Sequence, residues 1–318
     1  YRSVGCKKCE KSNLGNNMIG IVILNYRNWN DTLRCIKSIE ENPPKEKYNI
    51  ILVDNNSPNK PDYDLNAVIE EYHITYIANK ENRGYNGGNN VGIRAALNEK
   101  CDAILISNND VCFQSGSIQT LADYAKKHPK VGIVGPKIID AEGKVQKDNL
   151  CRKTGLKEKY LVRTRLNAIF RKSYRTYFGL DRDYDTIFEV HAVLGCCFLM
   201  TAECAKKVTP LDEHPFLYEE ELILGICMER AGYHTVYDPE AVIEHLHGGS
   251  TKHVKAFAFA HNVRSEIYYC KKYLNASKAE IYPLYWYRVR LYLIRCLKYQ
   301  DFREQWKWFR KMTREELL

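Results

Sequence analysis

From residue 18 onward the chain repeats one unit: a short run apolar at nearly every position, then a stretch with helical spacing. The runs are IGIVILNY, NIILVDNNS, ITYIAN and AILISNND, and each closes in or beside Asn or Asp. Between them lie the cap Asn30-Asp31-Thr32 with Leu33, Ile36 and Ile39, then LNAVIEEY, then NNVGIRAALNE, all at helical spacing. Strands apolar on both faces must be covered on both sides, which predicts an α/β fold with an open, mainly parallel, Rossmann-like sheet. Ligands of such sheets bind beyond the carboxyl ends of the strands. Asn25, Asp54, Asn55 and Asp110 are therefore expected to ring one crevice.

The rest of the chain is read more coarsely. Residues 1–17 are polar and aperiodic and read as a flexible extension outside the fold, native or introduced. After VGIVGPKIID, the segment Cys151 to Arg175 holds nine Lys and Arg against Glu158 alone. It sits in a basic insertion, 151–185, expected to be a mobile loop or partial helix. VLGCCFLMT reads as a buried strand, YEEELILGICMERAGY as a helix, and TVYDPEAVIEHLHGGST as one or two short strands and a turn. The expected division is a catalytic-type domain over 18–251 and a helical region over 252–318. No apolar run approaches ~18 residues, so no membrane-spanning helix is expected, and the chain reads as cytoplasmic. The twelve cysteines lie mostly in apolar segments, as free thiols do. Cys6-Lys7-Lys8-Cys9 has metal-site spacing but lacks a second pair.

The formal net charge of +9 is carried wholly by residues 252–318, with 15 Lys+Arg against 6 Asp+Glu. Tyr282, Tyr285, Trp286, Tyr287, Tyr292, Trp306, Trp308 and Phe309 are interleaved with it. Cations mixed with Tyr and Trp suit an anionic membrane surface. Nucleic acid would also suit them, and the plain alternative is a solvated helical face with aromatics packed inward.

Several residues could carry chemistry, each with a bland reading beside it. Asp54 ends a strand where acids hold a base edge or ribose, yet Asp-Asn-Asn-Ser is also good turn chemistry. NKENRGYNGGNNVGI places Gly and Asn before a helix, where amides attract phosphate, or where they only cap it. Asp110 is the metal candidate, because Mg²⁺ and Mn²⁺ take oxygen ligands and need few carboxylates when phosphates supply the remainder. Asn108 could hold a ribose hydroxyl. Glu219, Glu220 and Glu221 complement a helix dipole, unless one faces the crevice as a general base. His245 and His247 alternate on a strand, so only one can join Asp110 as a metal ligand.

These pieces stand in an order that resembles inverting family 2 glycosyltransferases of the GT-A fold. The likeness is strongest to the rhamnosyltransferase-like branch that builds bacterial surface polysaccharides. The matching segments are IVILNYRNWNDTLRCIKSI, IILVDNNSPN, NRGYNGGNNVGI, ILISNNDV, VGIVGPKIIDAEGKVQ, GCCFLMT, FLYEEELILGICMERAGY and EHLHGGST. The resemblance implies a donor that is a UDP-, dTDP- or GDP-linked sugar and a divalent metal, Mn²⁺ or Mg²⁺. Asp54 then contacts the nucleobase or ribose, and Asn82 and Arg83 lie beside the nucleotide sugar. Asn108-Asn109-Asp110 occupies the place of the family's Asp-x-Asp, with Asp110 on the metal and His245 its second ligand. Glu220-Glu221 matches the family's Glu-Asp, making Glu221 the base, although which glutamate reaches the acceptor stays open. Asn108 and Ile223 stand where many members have acids. An acceptor that is a lipid-linked glycan and a site of action at the inner face of the plasma membrane also follow from the resemblance. A non-catalytic nucleotide-sugar-binding subunit is the first alternative. A nucleic-acid-binding protein is the second, and it leaves the ordered motifs unexplained, so no nucleic acid is expected. Oligomeric state is left open.

Overall fold

A computed structural model describes residues 18–147, 153–246 and 255–318. Residues 1–17, with their Cys-Lys-Lys-Cys, and His247 with the following Gly-Gly-Ser-Thr lie outside the described residues. Among the described residues nine strands form one sheet. They are β1 (Met18–Asn25), β2 (Lys47–Asp54), β3 (Thr75–Ala78), β4 (Ala103–Asn108), β5 (Val111–Phe113), β6 (Val131–Ile139), β7 (Phe188–Val190), β8 (Cys197–Thr201) and β9 (His234–His245). The order is β3-β2-β1-β4-β8-β6-β9-β5, with β7 also on β9. β1 to β4 are mutually parallel, as the apolar runs predict. β8 enters antiparallel between β4 and β6, and β6 runs parallel to β9. VLGCCFLMT gives no hint of direction in sequence, since a strand buried on both faces reads alike either way.

Alternation along β1 divides the core. Ile21 and Ile23 join Ile36, Ile39 and Leu105 on one face, while Val22 joins Val53, Ile93 and Met200 on the other. The glycine-rich stretch differs from expectation: residues 84–90 do not precede a helix but form the first turns of Gly84–Asn98. A Cβ on Gly92 would lie 2.2 Å from Val22 Cγ1. That glycine lets the helix backbone rest directly on the Val22 side chain.

The C-terminal region is helical and packs against the helix Glu220–Ala231. Helices Lys255–Lys272, Lys278–Lys298 and Trp306–Leu317 share a core with Leu222, Ile223 and Ile226 of the helix Glu220–Ala231. This burial explains Ile223, which meets neighbouring helices where an acid would need a partner. The tail's aromatics divide: Tyr285, Tyr292 and Phe309 are buried, whereas Tyr282, Trp286 and Trp308 are exposed. No helix among the described residues is long and apolar enough to cross a membrane. The basic insertion carries helices Leu156–Leu161 and Arg171–Tyr177, and it is anchored by Lys159, which is 0% exposed.

Asp212 fastens the tail to the sheet domain. Its Oδ2 accepts from Tyr273 at 2.6 Å, Tyr268 at 2.7 Å and Lys272 at 3.0 Å, while Asn86 donates to its carbonyl at 2.7 Å. Burial pushes this carboxyl up, but the hydrogen bonds outweigh it and hold the carboxyl down at about 2. A depressed acid stabilises the fold above its unfolded value near 3.8 and loses that contribution as pH falls toward 2. The contribution is about 2 kcal/mol. Asp212→Asn is expected to melt well below the native chain at pH 6, with the gap closing between pH 4 and 2; thermal denaturation across that range checks it.

Candidate active site

The carboxyl ends of β1, β2 and β4 are tied together by amides. Asn25, 0% exposed, donates to Asp54 Oδ1 at 3.1 Å and accepts from Thr32 and Asn109, each at 3.0 Å. Asn109 also donates to the Asn28 carbonyl at 2.9 Å. Asp54 accepts from Ser57 Oγ at 2.5 Å and from the Ser57 backbone. Asn55 closes the next loop: its amide donates to Asn82 Oδ1 and the Gly84 carbonyl at 3.0 Å, and its oxygen accepts from Asn79 and the Arg83 N–H at 3.1 Å. Arg83 pairs with Glu213 at 2.8 Å. Asn25 and Asn55 therefore spend both side-chain polar atoms on the frame, and Asn109 its amide nitrogen. The half-buried Asn108 side chain makes no hydrogen bond among the described residues.

Asp110 and His245 are brought together by the β5–β9 ladder, which starts at Val111 opposite His245. The Leu246 N–H donates to the Asp110 carbonyl at 3.0 Å, and His245 Nε2 lies 3.3 Å from Asp110 Oδ1. Asp110 Oδ1 is buried without a hydrogen bond, an arrangement with a desolvation cost unless a cation is supplied. One carboxylate and one imidazole suit Mn²⁺ or Mg²⁺ when further oxygens come from a ligand, so these residues fit a divalent ion. No group of three or more His, Cys, Asp or Glu gathers as a metal site among the described residues.

Glu219, Glu220 and Glu221 are sorted by their partners. The Gly195 N–H donates to Glu221 Oε1 at 3.1 Å. A Cβ on Gly195 would lie 2.9 Å from that oxygen and 3.0 Å from the Tyr85 hydroxyl, which donates to the Gly195 carbonyl. The next residue, Cys196, accepts from the Asn108 N–H at 2.7 Å, so Glu221 and the end of β4 are two short links apart. Burial raises the carboxyls of both Glu220 and Glu221, and for Glu220 the charge of Glu221 adds to it. Such tuning suits a group that takes a proton near neutral pH.

Glu219 is held elsewhere. Both its oxygens accept from Lys159 Nζ, at 2.5 and 2.6 Å, with side chains 2% and 0% exposed. Lys159 also lies 3.8 Å from Glu266, which Arg288 grips with two hydrogen bonds of 2.7 and 2.8 Å. Tyr218 and Glu219 are both left-handed, at φ 73° and 71°. Such residues cost about 1–3 kcal/mol each and persist where surroundings over-determine them. Sequence reasoning missed Lys159, Gly195 and Tyr85. A Gly opening a buried strand signals close approach, but nothing local in 151–185 marks one lysine among nine cations. A pocket of about 530 Å³ beside Gly225, Met228 and Gly232 touches none of the predicted site residues. Removing one partner of a buried pair costs about 3–5 kcal/mol. Lys159→Met should show that loss in chemical denaturation, and adding Glu219→Gln should recover a large part of it.

Comparison with known proteins comes down on the same side. The family model of glycosyl transferase family 2 matches residues 20–202. An N-acetylglucosaminyl-diphospho-decaprenol L-rhamnosyltransferase of Mycobacterium tuberculosis is 26% identical over 253 residues, covering 74% of this chain and 78% of the relative. The hexosyltransferase Agl10 of low-salt glycan biosynthesis in Haloferax volcanii is 25% identical over 211 residues, 64% of this chain and 59% of its own. Among solved structures, GalNAc-T7 with UDP, GalNAc and Mn²⁺ aligns with a TM-score of 0.56 at 14% identity, over 86% of this chain and 54% of that one. The mannosyltransferase PcManGT of Pyrobaculum calidifontis with GDP-Man and Mn²⁺ aligns at 0.52 and 14% identity, over 86% and 70%. With a GT-A sheet and a family match over more than half its length, the chain belongs to glycosyl transferase family 2.

Proposed function

We propose that this glycosyltransferase moves a sugar from a nucleotide-sugar donor to a hydroxyl of a lipid-linked glycan, with inversion and with help from a divalent metal. The observation that supports the reading is the Asp110–His245 pair just beyond the end of β4, the strand end that Glu221 reaches through Gly195 and Cys196. Asp110 and His245 hold the ion, and Asp54, with Asn82, Arg83 and Asn108, flanks the nucleotide. When bound, the metal neutralises charge on the departing diphosphate. Glu221 is the base: Gly195 fixes one oxygen, and the other, with no hydrogen bond among the described residues, takes the acceptor proton as the hydroxyl attacks the anomeric carbon. No covalent intermediate on the enzyme is needed. Glu220, buried beside it, raises the cost of a second charge and favours one proton shared by the two.

The M. tuberculosis relative's name carries a diphospho-decaprenol acceptor, which supports a lipid-linked substrate here. On the helix Lys278–Lys298, Tyr282, Trp286, Leu293, Ile294 and Leu297 are exposed at helical spacing. An apolar outer face on a basic region supports attachment to the inner, anionic face of a membrane.

Asp110→Ala and Glu221→Gln are each expected to lower kcat at least 100-fold with little change in melting temperature; near-normal transfer by either overturns its role. A base raised above its ordinary 4.5 is protonated on the acid side, so kcat/KM should fall as pH drops through that raised value. Glu221→Gln should abolish this limb of the profile. Thermal shifts with UDP-, dTDP- and GDP-sugars, with and without Mn²⁺, are expected to show a metal-dependent rise that Asp110→Ala removes. In flotation, anionic vesicles should carry the chain and neutral ones should not.

A further inference from the structure

Tyr85 is held at both ends. Its backbone N–H donates to the Phe216 carbonyl at 3.2 Å, and its hydroxyl donates to the Gly195 carbonyl. These two partners carry Glu221 between them. Phe216 lies on the segment that enters the helix Glu220–Ala231, and the Gly195 N–H donates to Glu221 Oε1 at 3.1 Å. Gly84 lets the first contact form: its φ is 71°, and a Cβ there would lie 2.5 Å from the Phe216 carbonyl oxygen. Later residues of the helix Gly84–Asn98 extend the grip. Asn86 donates to the Asp212 carbonyl at 2.7 Å, and Asn90 exchanges hydrogen bonds of 2.9 and 2.7 Å with the Leu211 backbone.

A phenylalanine would fill the same space as the Tyr85 ring. What the hydroxyl adds is a hold on Gly195, where clearance is small enough that a Cβ would crowd both Glu221 and Tyr85. Glu221 faces Glu219 and Glu220 from its own helix, Tyr85 and Cys196 across the gap, and Arg163 from the insertion. Burial raises its carboxyl, and the Gly195 N–H is among the contacts that oppose the rise, because it favours the charged form. Burial also pushes the Tyr85 hydroxyl well up, and the charges of Glu221 and Glu220 push it further. Tyr85 therefore stays a donor throughout the range in which the carboxyl titrates.

We propose that Tyr85 is a positioning residue for the base: it fixes the Gly195 loop and the entry to the helix Glu220–Ala231 together, and so sets the aim of Glu221. The inference rests on the transferase reading above for what Glu221 does, and adds the residue that aims it. Without the hydroxyl, the Gly195 N–H drifts from Oε1, the charged form loses support, and Glu221 keeps its proton to higher pH.

The first test needs no substrate. It is carbon NMR of the full chain labelled at the glutamate carboxyl carbons, with Glu221 assigned by its loss in Glu221→Gln. In Tyr85→Phe the Glu221 titration is expected to move up by about half a pH unit or more, the scale of one weakened hydrogen bond to a carboxylate. The kcat for transfer should fall about tenfold, as it does for a slightly misplaced reacting group. Binding of UDP, dTDP or GDP with Mn²⁺ should stay unchanged, the split expected of a group that acts on chemistry and not on donor affinity. A Tyr85→Phe chain that melts lower while titration and kcat stay put has lost only packing, and overturns the inference. So does a loss of nucleotide affinity in place of kcat. Should Tyr85→Phe fold poorly, Gly195→Ala decides: its methyl group enters between hydroxyl and carboxylate, and an unmoved Glu221 titration sinks the idea. Glu221→Gln separates this inference from the reading beneath it. If that variant transfers sugar normally, the base assignment falls, while the NMR titration of Tyr85→Phe still decides what holds Glu221.

Discussion

The peptide at Gly195 has no room for a side chain, and the site is assembled around that fact. Its N–H meets Glu221 and its carbonyl meets Tyr85, so a helix from late in the chain and one from early in it converge on one backbone unit. The neighbouring Cys196 carbonyl takes the Asn108 N–H, which adds the end of β4. Any residue larger than Gly would force Glu221 and Tyr85 apart, and with them the separation between the carboxylates and the strand ends. The sheet's change of direction at β8 is what brings this peptide there: an antiparallel strand next to β4 delivers its first residues, not its last, to the carboxyl end of the parallel half.

A second constraint is charge kept far from water. Lys159, Glu219, Glu266 and Arg288 come from the insertion, the start of the helix Glu220–Ala231 and two C-terminal helices. Four charges in such a place need one another, so four stretches that look independent in the chain are drawn together. The strained backbone at Tyr218–Glu219 sits at the centre of that network, held by tertiary contacts that local preference would oppose.

How much of this the sequence discloses depends on the range of the interaction. β1 to β4 are legible because burial on both faces writes itself into consecutive residues, and Asp54, Asp110 and His245 are legible because strand ends are. Asn25, Asn55 and Asn109 are visible as strand-end polar groups, but their use as mutual ties is not, because an amide that binds a ligand and one that binds a neighbour look the same in one dimension. The helix of Gly84–Asn98 begins earlier than its composition suggests, since close packing on Val22 outweighs the low helix propensity of Gly and Asn. Lys159 is hidden for the opposite reason: its partner lies 60 positions away, and basic neighbours mask it.

The asparagine frame has one further consequence. Amides do not gain or lose protons in any ordinary range of pH, so the ties among Asn25, Asn55, Asn79, Asn82 and Asn109 do not depend on acidity, and of the ties described above that from Asn25 to Asp54 ends on a carboxylate. Had the same ties been carboxylate pairs, each proton taken up would have moved the strand ends. As built, most of the ties among the strand ends join groups that carry no charge at all.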